Sequence, residues 1–353
     1  MPKVYIIILN TNGCRDTLEC LESVFRLRYP DFTVVVCDNA STDGSIDQIK
    51  AWARGERTAS VRNQALAFLT APPVRKPIPF EEIPAVHESG NSRDSSARLI
   101  LIQNGGNLGF AGGSNVGLRY ALAQGNCDYV WSLNNDTVVD PDALLALVQR
   151  MQQRPEAGMC GSTLLYYDNP EIVQALGGGI YNRWIGRGAH LGFRQHRDAP
   201  IDCSAIESRM NWPVGASMLV RRAFLEEIGL MNEVYFLYYD ELDWAARAKG
   251  KYSLAYAPQS VVYHREGGTI GSSVDMARRS TACSYYASRS CMLFTKRYFP
   301  MAFASVGVAR IGMCLSRYAK GDKLGARAIF CGLSDSLKGE RRRQWPMPAC
   351  AHE

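Results

Sequence analysis

Tyr129-Val-Trp-Ser-Leu-Asn-Asn-Asp136, followed by Thr137 and Asp140-Pro141, is the stretch on which the reading of this chain turns. The apolar run from Tyr129 to Leu133 predicts a buried strand, and it stops abruptly at Asn134-Asn135-Asp136. Asp140 and Pro141 have the form of an N-cap and a first helical position ahead of Leu144, Leu145 and Val148. In an open α/β sheet, ligands bind outside the carboxyl ends of the strands. A carboxylate placed there, flanked by carboxamides, suits a hard divalent cation that draws its other ligands from water and a diphosphate. An Asp136 that only caps a turn is the plainer reading, and the stretch alone leaves both open.

Upstream, Val4 to Leu9 is another continuous apolar run, as for a strand buried on both faces. Asn10-Thr-Asn-Gly13 breaks it, and Leu18, Leu21 and Phe25 then recur at helical spacing. Thr33 to Cys37 predicts a further strand, ending in Asp38-Asn-Ala-Ser-Thr-Asp-Gly44 before a short helix with Ile46 and Ile49. Strand alternating with helix predicts a parallel sheet with crossover helices. Residues 52–96 hold five prolines and no sustained period, so they read as an insertion or loop without an assigned role. Leu99 to Gln103 predicts a third strand, running into a glycine-rich stretch from Asn104 to Asn115 and a helix from about Ser114 to Ala123. Five glycines within residues 105–113, ahead of a helix N-terminus, let backbone approach an anion closely. The spacing fits neither a Walker A loop nor a clean dinucleotide fingerprint, and a flexible loop is the alternative.

Downstream, Gly177-Gly-Gly179 and Trp184-Ile-Gly-Arg-Gly188 predict hairpins or a flap, and Trp212 to Val220 a turn entering a strand. Tyr235-Phe-Leu-Tyr-Tyr-Asp-Glu-Leu-Asp-Trp244 opens a helix that Gly250 closes. Capping and the helix dipole account for one or two of Asp240, Glu241 and Asp243, hardly for three behind an aromatic run. Strands near 253–256 and 260–263 follow, ending at His264. From Ser280 to Leu337 the pattern is helical, amphipathic and basic. Tyr298 to Leu315 contains Pro300 and Arg310 and falls short of the ~20 apolar residues of a membrane span, so an interfacial or packing helix is expected.

With 353 residues, 46% apolar and 21% charged, the composition is that of an ordinary globular protein. Eleven scattered cysteines without a Cys-x-x-Cys pair predict reduced, mostly buried thiols in a cytoplasmic chain. Val4 to Leu9 is too short for the apolar core of a signal peptide. The net charge of +6 is uneven: residues 278–343 carry 14 Lys/Arg against 3 Asp/Glu, leaving −5 elsewhere. Such asymmetry points to a polyanionic partner, and with no nucleic-acid motif an anionic membrane surface is the expected one.

Taken in order, these motifs resemble those of the family 2 glycosyltransferases with the GT-A fold, in particular a bacterial rhamnosyltransferase-like branch. The carriers are Ile8-Leu-Asn-Thr-Asn-Gly13, Asp38 to Gly44, Asn107 to Asn115, Leu133 to Asp136, Gly215-Ala-Ser-Met218, Asp240-Glu-Leu-Asp243 and His264 with Gly267-Gly-Thr269. The resemblance implies a Rossmann-like, mostly parallel α/β sheet over residues 1–270, with 52–96 inserted. A basic amphipathic helical region over 271–340 and a disordered tail over 341–353 would follow. It places Thr11 and Asp38 against the donor's nucleoside. Asn107, Gly109, Phe110, Asn115, Asn134 and Asn135 would lie beside the nucleotide and sugar.

The family's Asp-x-Asp metal motif falls on Asn134-Asn135-Asp136, which leaves Asp136 as its acidic ligand for Mg2+ or Mn2+, with His264 as an imidazole ligand. The base position falls on Glu241, whose carboxylate stands about 1.5 Å further out than an aspartate's. Asp240 and Asp243 complete the catalytic cluster, and Trp212, Gly215, Trp244 and Arg247 are assigned to the acceptor side. The expectation is therefore an inverting, metal-dependent glycosyltransferase, peripheral on the inner face of the cytoplasmic membrane. It would move a sugar, best guessed as rhamnose from a dTDP donor, to a cell-envelope or lipid-linked acceptor. A nucleotidyltransferase would place a basic residue in the phosphate loop, which Gly105 to Asn115 lacks. A non-catalytic sugar binder would have no need of Asp136, Asp240, Glu241 and Asp243.

Overall fold

The computed structural model describes residues 1–84, 97–265 and 280–339. The Gly267-Gly-Thr269 motif and the tail from 341 lie outside the described residues. The chain opens with β1 (Val4–Asn10), α1 (Cys14–Val24), β2 (Phe32–Asp38) and α2 (Ser45–Arg54). It continues with α3 (Ala67–Thr70), β3 (Phe80–Pro84), β4 (Leu99–Gln103), α4 (Gly109–Ala123), β5 (Tyr129–Asn134), β6 (Thr137–Val139) and α5 (Ala143–Gln153). Next come β7 (Ala157–Tyr166), β8 (Val173–Leu176), β9 (Gly178–Asn182), β10 (Arg187–His190), α6 (Cys203–Arg209), β11 (Trp212–Pro213) and β12 (Ser217–Arg221). The remainder is α7 (Arg222–Ile228), α8 (Asp240–Ala248), β13 (Ser253–His264), α9 (Thr281–Tyr298), α10 (Phe303–Ala319) and α11 (Lys323–Leu337).

The main sheet runs β3-β4-β2-β1-β5-β12-β7-β13-β6, with β8 on β7. β3, β4, β2, β1 and β5 are mutually parallel, and β12 enters antiparallel between β5 and β7. β1, β2, β4 and β5 are mostly apolar because both of their faces are covered. Ile6, Ile8, Val34 and Val36 pack with Leu18, Leu21, Trp52, Leu144 and Leu147 on one side. Ile7, Val35 and Cys37 pack with Ala111, Val116 and Leu118 on the other, where Leu242, Trp244, Leu293 and Phe294 join the same cluster. Each such Leu or Ile contributes about 1.5–3 kcal/mol by leaving water. β1 pairs with β2 on one edge and β5 on the other, so the order reverses at β1 and opens the ligand crevice of a doubly wound sheet.

Several expected boundaries move. The described part of the expected insertion, residues 52–84, completes α2, forms α3 and adds β3 as a parallel edge strand beside β4. α4 begins at Gly109 rather than near Ser114, so its later glycines are packing positions. A Cβ on Gly113 would come within 2.5 Å of the Leu9 side chain, and one on Gly117 within 2.7 Å of Ile7. Asp140-Pro141 is a turn ahead of α5, in which Asp140 Oδ1 accepts from the Asp142 amide at 2.9 Å. The two strands expected near 253–263 are one strand with a bulge between Ala257 and Val261. The expected peripheral region 271–340 divides: α9 is core, buried along most of its length, and only α10 and α11 carry a broad exposed face.

Candidate active site

The crevice is lined first by the ends of β1 and β2. Asn10 Nδ2 donates to Asp38 Oδ1 at 2.7 Å, and Asp38 Oδ2 accepts from the Ser41 amide at 2.8 Å. Thr17 Oγ1 in turn donates to Asn10 Oδ1 at 2.8 Å. Asp38 is buried and its oxygens hold the Ser41 loop, so its carboxylate braces the ends of β1 and β2 rather than standing open to the crevice. Thr11, directly after β1, is half-buried. Asn107 Oδ1 accepts from the Gly109 amide at 3.0 Å and so organises the glycine loop.

At the end of β5 successive side chains part company. Asn135 points beneath the sheet, its Nδ2 donating to Thr17 Oγ1 at 3.1 Å, and it is buried. Asn134 and Asp136 point the other way, toward His264. His264 Nε2 lies 3.2 Å from Asp136 Oδ1 and 3.4 Å from Asn134 Nδ2. Its Nδ1 is 2.8 Å from Gln174 Oε1. With Nδ1–H donating to that oxygen, Nε2 turns its lone pair toward the carboxylate. Two acceptors 3.2 Å apart call for a cation, a proton or a metal ion, and the oxygen–nitrogen set fits Mg2+ or Mn2+. The pairing of β13 with β6 brings the two residues together, with His264 in register with Thr137.

The third wall is the aromatic run. Tyr238 and Tyr239 have φ of 65° and 69°, a left-handed conformation that costs a non-glycine residue about 1–2 kcal/mol. The strain is held from all sides. The Phe110 amide donates to Phe236 O at 2.8 Å, Ser290 Oγ to Leu237 O at 3.0 Å, and Tyr239 OH to Gly186 O at 2.9 Å. The kink delivers Asp240 and Glu241 into the first turn of α8. A Cβ on Gly215 would stand 3.8 Å from the Glu241 carboxyl and 3.8 Å from the Phe110 ring, so the three share one recess. Its connection to the Asp136–His264 pair is short: the Asn134 amide donates to Ala216 O at 3.0 Å.

Within the carboxylate pair, Asp240 is buried and its Oδ2 meets no donor among the described residues. Burial, and then the neighbouring Glu241 charge, hold the Asp240 carboxyl well above the usual carboxylate range. Burial also pushes Glu241 up, opposed by the hydrogen bond from Asp240. One shared proton residing on Asp240 satisfies both groups and leaves Glu241 ionised.

The remaining expected site residues have other employment. Asp243 is fully buried, bonded to Arg247 Nε at 2.9 Å and to Tyr298 OH at 2.7 Å, so it clamps α8 to α9 and cannot meet substrate. Arg247 also donates to the carbonyls of Ile228 and Leu230. Trp244 is fully buried with Nε1 on Gly229 O at 2.8 Å, so it offers no stacking face to a sugar. Trp212 is buried beneath the β9–β10 hairpin, its ring blocking any side chain at Gly179 and Gly188. Asn115 is buried and bridges to Met231 O at 2.9 Å and Glu233 at 3.0 Å rather than facing the crevice. Sequence reading missed Gln174, which comes from β8 and carries no motif signal. It also missed Arg265, whose amide donates to Asp136 O at 3.0 Å and whose guanidinium meets Asp16 at 3.2 Å.

The description "Glycosyl transferase family 2" matches residues 5–66 and 86–212. The chain belongs to that family. The matched part runs from β1 to β11, apart from residues 67–85, and stops before α8. Among curated relatives, the low-salt glycan biosynthesis hexosyltransferase Agl10 of Haloferax volcanii is 28% identical over 151 residues, 43% of this chain and 46% of the relative. The N-acetylglucosaminyl-diphospho-decaprenol L-rhamnosyltransferase of Mycobacterium tuberculosis is 25% identical over 160 residues, 41% and 49% of the two chains. The chain thus matches about half the length of these curated relatives. The fold is similar to that of the mannosyltransferase PcManGT from Pyrobaculum calidifontis, solved with GDP-Man and Mn2+. That likeness has a TM-score of 0.51 at 16% identity, over 95% of this chain and 87% of that one. A mostly parallel GT-A sheet is thereby common to the family member and the solved transferase.

Proposed function

We propose that the protein is an inverting, metal-dependent glycosyltransferase that takes a sugar from a nucleoside diphosphate. The donor is a deoxyhexose of the rhamnose type on dTDP, and the acceptor a lipid-linked precursor of a cell-envelope glycan. The observation that carries this is the placement of Glu241, in the Gly215–Phe110 recess, one strand connection from the Asp136–His264 pair. The sugar assignment rests on the rhamnosyltransferase relative alone.

In this reading the acceptor hydroxyl lies against Glu241, which takes its proton as the oxygen attacks the anomeric carbon. The bond from that carbon to the phosphate oxygen breaks on the opposite face, and the nucleoside diphosphate leaves. Asp240, holding its own proton, keeps Glu241 ionised and oriented. Asp136 and His264 would hold a divalent cation, which would supply charge neutralisation on the departing diphosphate. Asn134 stands beside His264 to orient the ring, while the strand-end network of Asn10, Asp38 and Ser41 keeps the nucleoside wall rigid.

The test is donor breakdown in the absence of acceptor, across a panel of nucleotide sugars with manganese. Slow release of free nucleoside diphosphate supports transfer. Release of pyrophosphate from a nucleoside triphosphate and a sugar 1-phosphate, with no nucleoside diphosphate released from any nucleotide sugar, would identify a nucleotidyltransferase instead.

A further inference from the structure

Most of the exposed large apolar side chains among the described residues fall in one region, while Met1, Phe68 and Phe193 belong to other segments. Of those described, Met301, Val308, Ile311, Leu315, Tyr318, Leu324, Phe330 and Leu337 all belong to the α10–α11 hairpin and the turn before it, with exposures from 52% to 90%. Val308, Ile311 and Leu315 recur at the three- and four-residue spacing of one helix face. That face has no charge of its own, because Arg310 and Arg317 are turned inward and buried.

Trp184 and Ile185, at the tip of the β9–β10 hairpin, are also exposed and join the same surface. Ser305 Oγ donates to Trp184 O at 2.7 Å, and Arg310 donates to Gly186 O. Lys320, Lys323 and Arg327 stand exposed around the turn joining α10 to α11, with no ion pair among the described residues. The acids between 280 and 339 are Asp322 and Asp335, and each is already paired, to Arg317 and Lys338. No helix of the described residues is long and apolar enough to cross a membrane.

We infer that this surface is an interfacial docking face for an anionic bilayer. Trp184, Ile185 and the Val308–Ile311–Leu315 stripe enter the headgroup region, and Lys320, Lys323 and Arg327 lie against anionic headgroups. An uncharged stripe rimmed by unpaired cations is what a lipid surface accommodates, since apolar burial and attraction to anionic lipid act together. A second copy of the chain would instead bring the same three cations toward one another. This deepens the proposal of a lipid-linked acceptor and replaces the whole segment 271–340 by a defined face, excluding α9.

Vesicle co-sedimentation of the full chain tests it, with phosphatidylcholine vesicles with and without phosphatidylglycerol. The chain should pellet with the mixed vesicles, and less so as salt rises. The pair Ile311→Glu and Leu315→Glu should lower partitioning at least ~10-fold, as should Lys320→Glu with Lys323→Glu and Arg327→Glu. Phe68→Glu, at an exposed position outside this surface, should change nothing. On unmutated protein, brominated lipid should quench a tryptophan signal that Trp184→Phe removes, which needs no charged variant to fold. Wild-type partitioning by the Ile311/Leu315 variant, or no quenching, overturns the inference. So does a wild-type dimer that the same variant dissociates while vesicles are ignored. Nucleotide-sugar thermal shifts on the same samples report separately on the transferase reading, which stands or falls without the membrane.

Discussion

His264 Nε2 and Asp136 Oδ1 face each other at 3.2 Å, across the point where the last strand of the sheet pairs with the three residues that follow Asp136. Residues 128 positions apart are thus brought face to face, and Gln174 meets the other nitrogen of the ring. Asp136→Ala should abolish manganese-dependent donor stabilisation while leaving the melting of the ligand-free protein nearly unchanged. Gln174→Ala should weaken apparent metal affinity about 10- to 100-fold, the usual scale for a group that orients a ligating imidazole. Thermal shift with a nucleotide sugar, titrated with manganese, measures both. Full activity of Asp136→Ala in excess chelator would remove the metal from the account.

Asp243 is predicted to act through the fold. Asp243→Asn breaks a buried pair with Arg247 and weakens the hydrogen bond from Tyr298. The cost should be about 3 kcal/mol, toward the low end for buried pairs because Arg247 keeps some contact with water. A urea midpoint measures it, and donor binding per folded molecule should be retained. A dead enzyme of unchanged stability would return Asp243 to the chemistry.

Two glycines at the start of α4 and in the loop before it separate strain from contact. Gly105 and Gly109 have φ of 72° and 73°, but a Cβ on Gly105 meets nothing within 4 Å. One on Gly109 would fall 2.3 Å from Phe236 O, a backbone atom that cannot swing aside. Gly105→Ala should therefore cost only the left-handed penalty, about 1 kcal/mol. Gly109→Ala should cost more and lower kcat as well, because it displaces the aromatic run that aims Glu241. Equal effects on stability and turnover at the two positions would contradict this.

The sequence made β1, β2, β4 and β5 legible because they are covered on both faces. Val4 to Leu9, Thr33 to Cys37, Leu99 to Gln103 and Tyr129 to Leu133 are apolar runs that nothing but a buried parallel strand requires. The Asp136–His264 pairing was implied by the family resemblance; in the structure His264 ends β13 and Asp136 lies two residues past the end of β5. Side-chain direction was not legible. Asn135 and Asp136 are adjacent yet face opposite ways, and Asn115 and Trp244 turn inward, because facing is set by packing against distant residues such as Met231 and Gly229. The charge count in the last third pointed at a surface without locating it. It averaged buried Arg289, Arg310 and Arg317 with exposed Lys320, Lys323 and Arg327.

The carboxylate pair carries a pH prediction with a definite sign. Glu241 acts as a base only when ionised, and burial raises its pKa, so kcat should fall on the acid side at a pH above the ordinary glutamate value of 4.5. Stability runs the other way. Asp240 and Glu241 both have raised folded-state values, so their contribution is full below the ordinary 3.8 and 4.5 and is lost as pH rises through the folded-state values. Asp240→Asn should remove much of that loss and stabilise the protein at neutral pH. A kcat profile and a melting curve across pH check the two limbs.

The most direct test is turnover of Glu241→Gln with a competent donor and acceptor. The substitution keeps shape and most hydrogen bonding but cannot accept a proton. The account predicts donor binding close to wild type and a kcat lower by roughly 100-fold or more, the scale of general-base removal. Glu241→Asp should be partly active. Transfer at the wild-type rate by Glu241→Gln, with Asp240→Asn inactive, would contradict the assignment of the base.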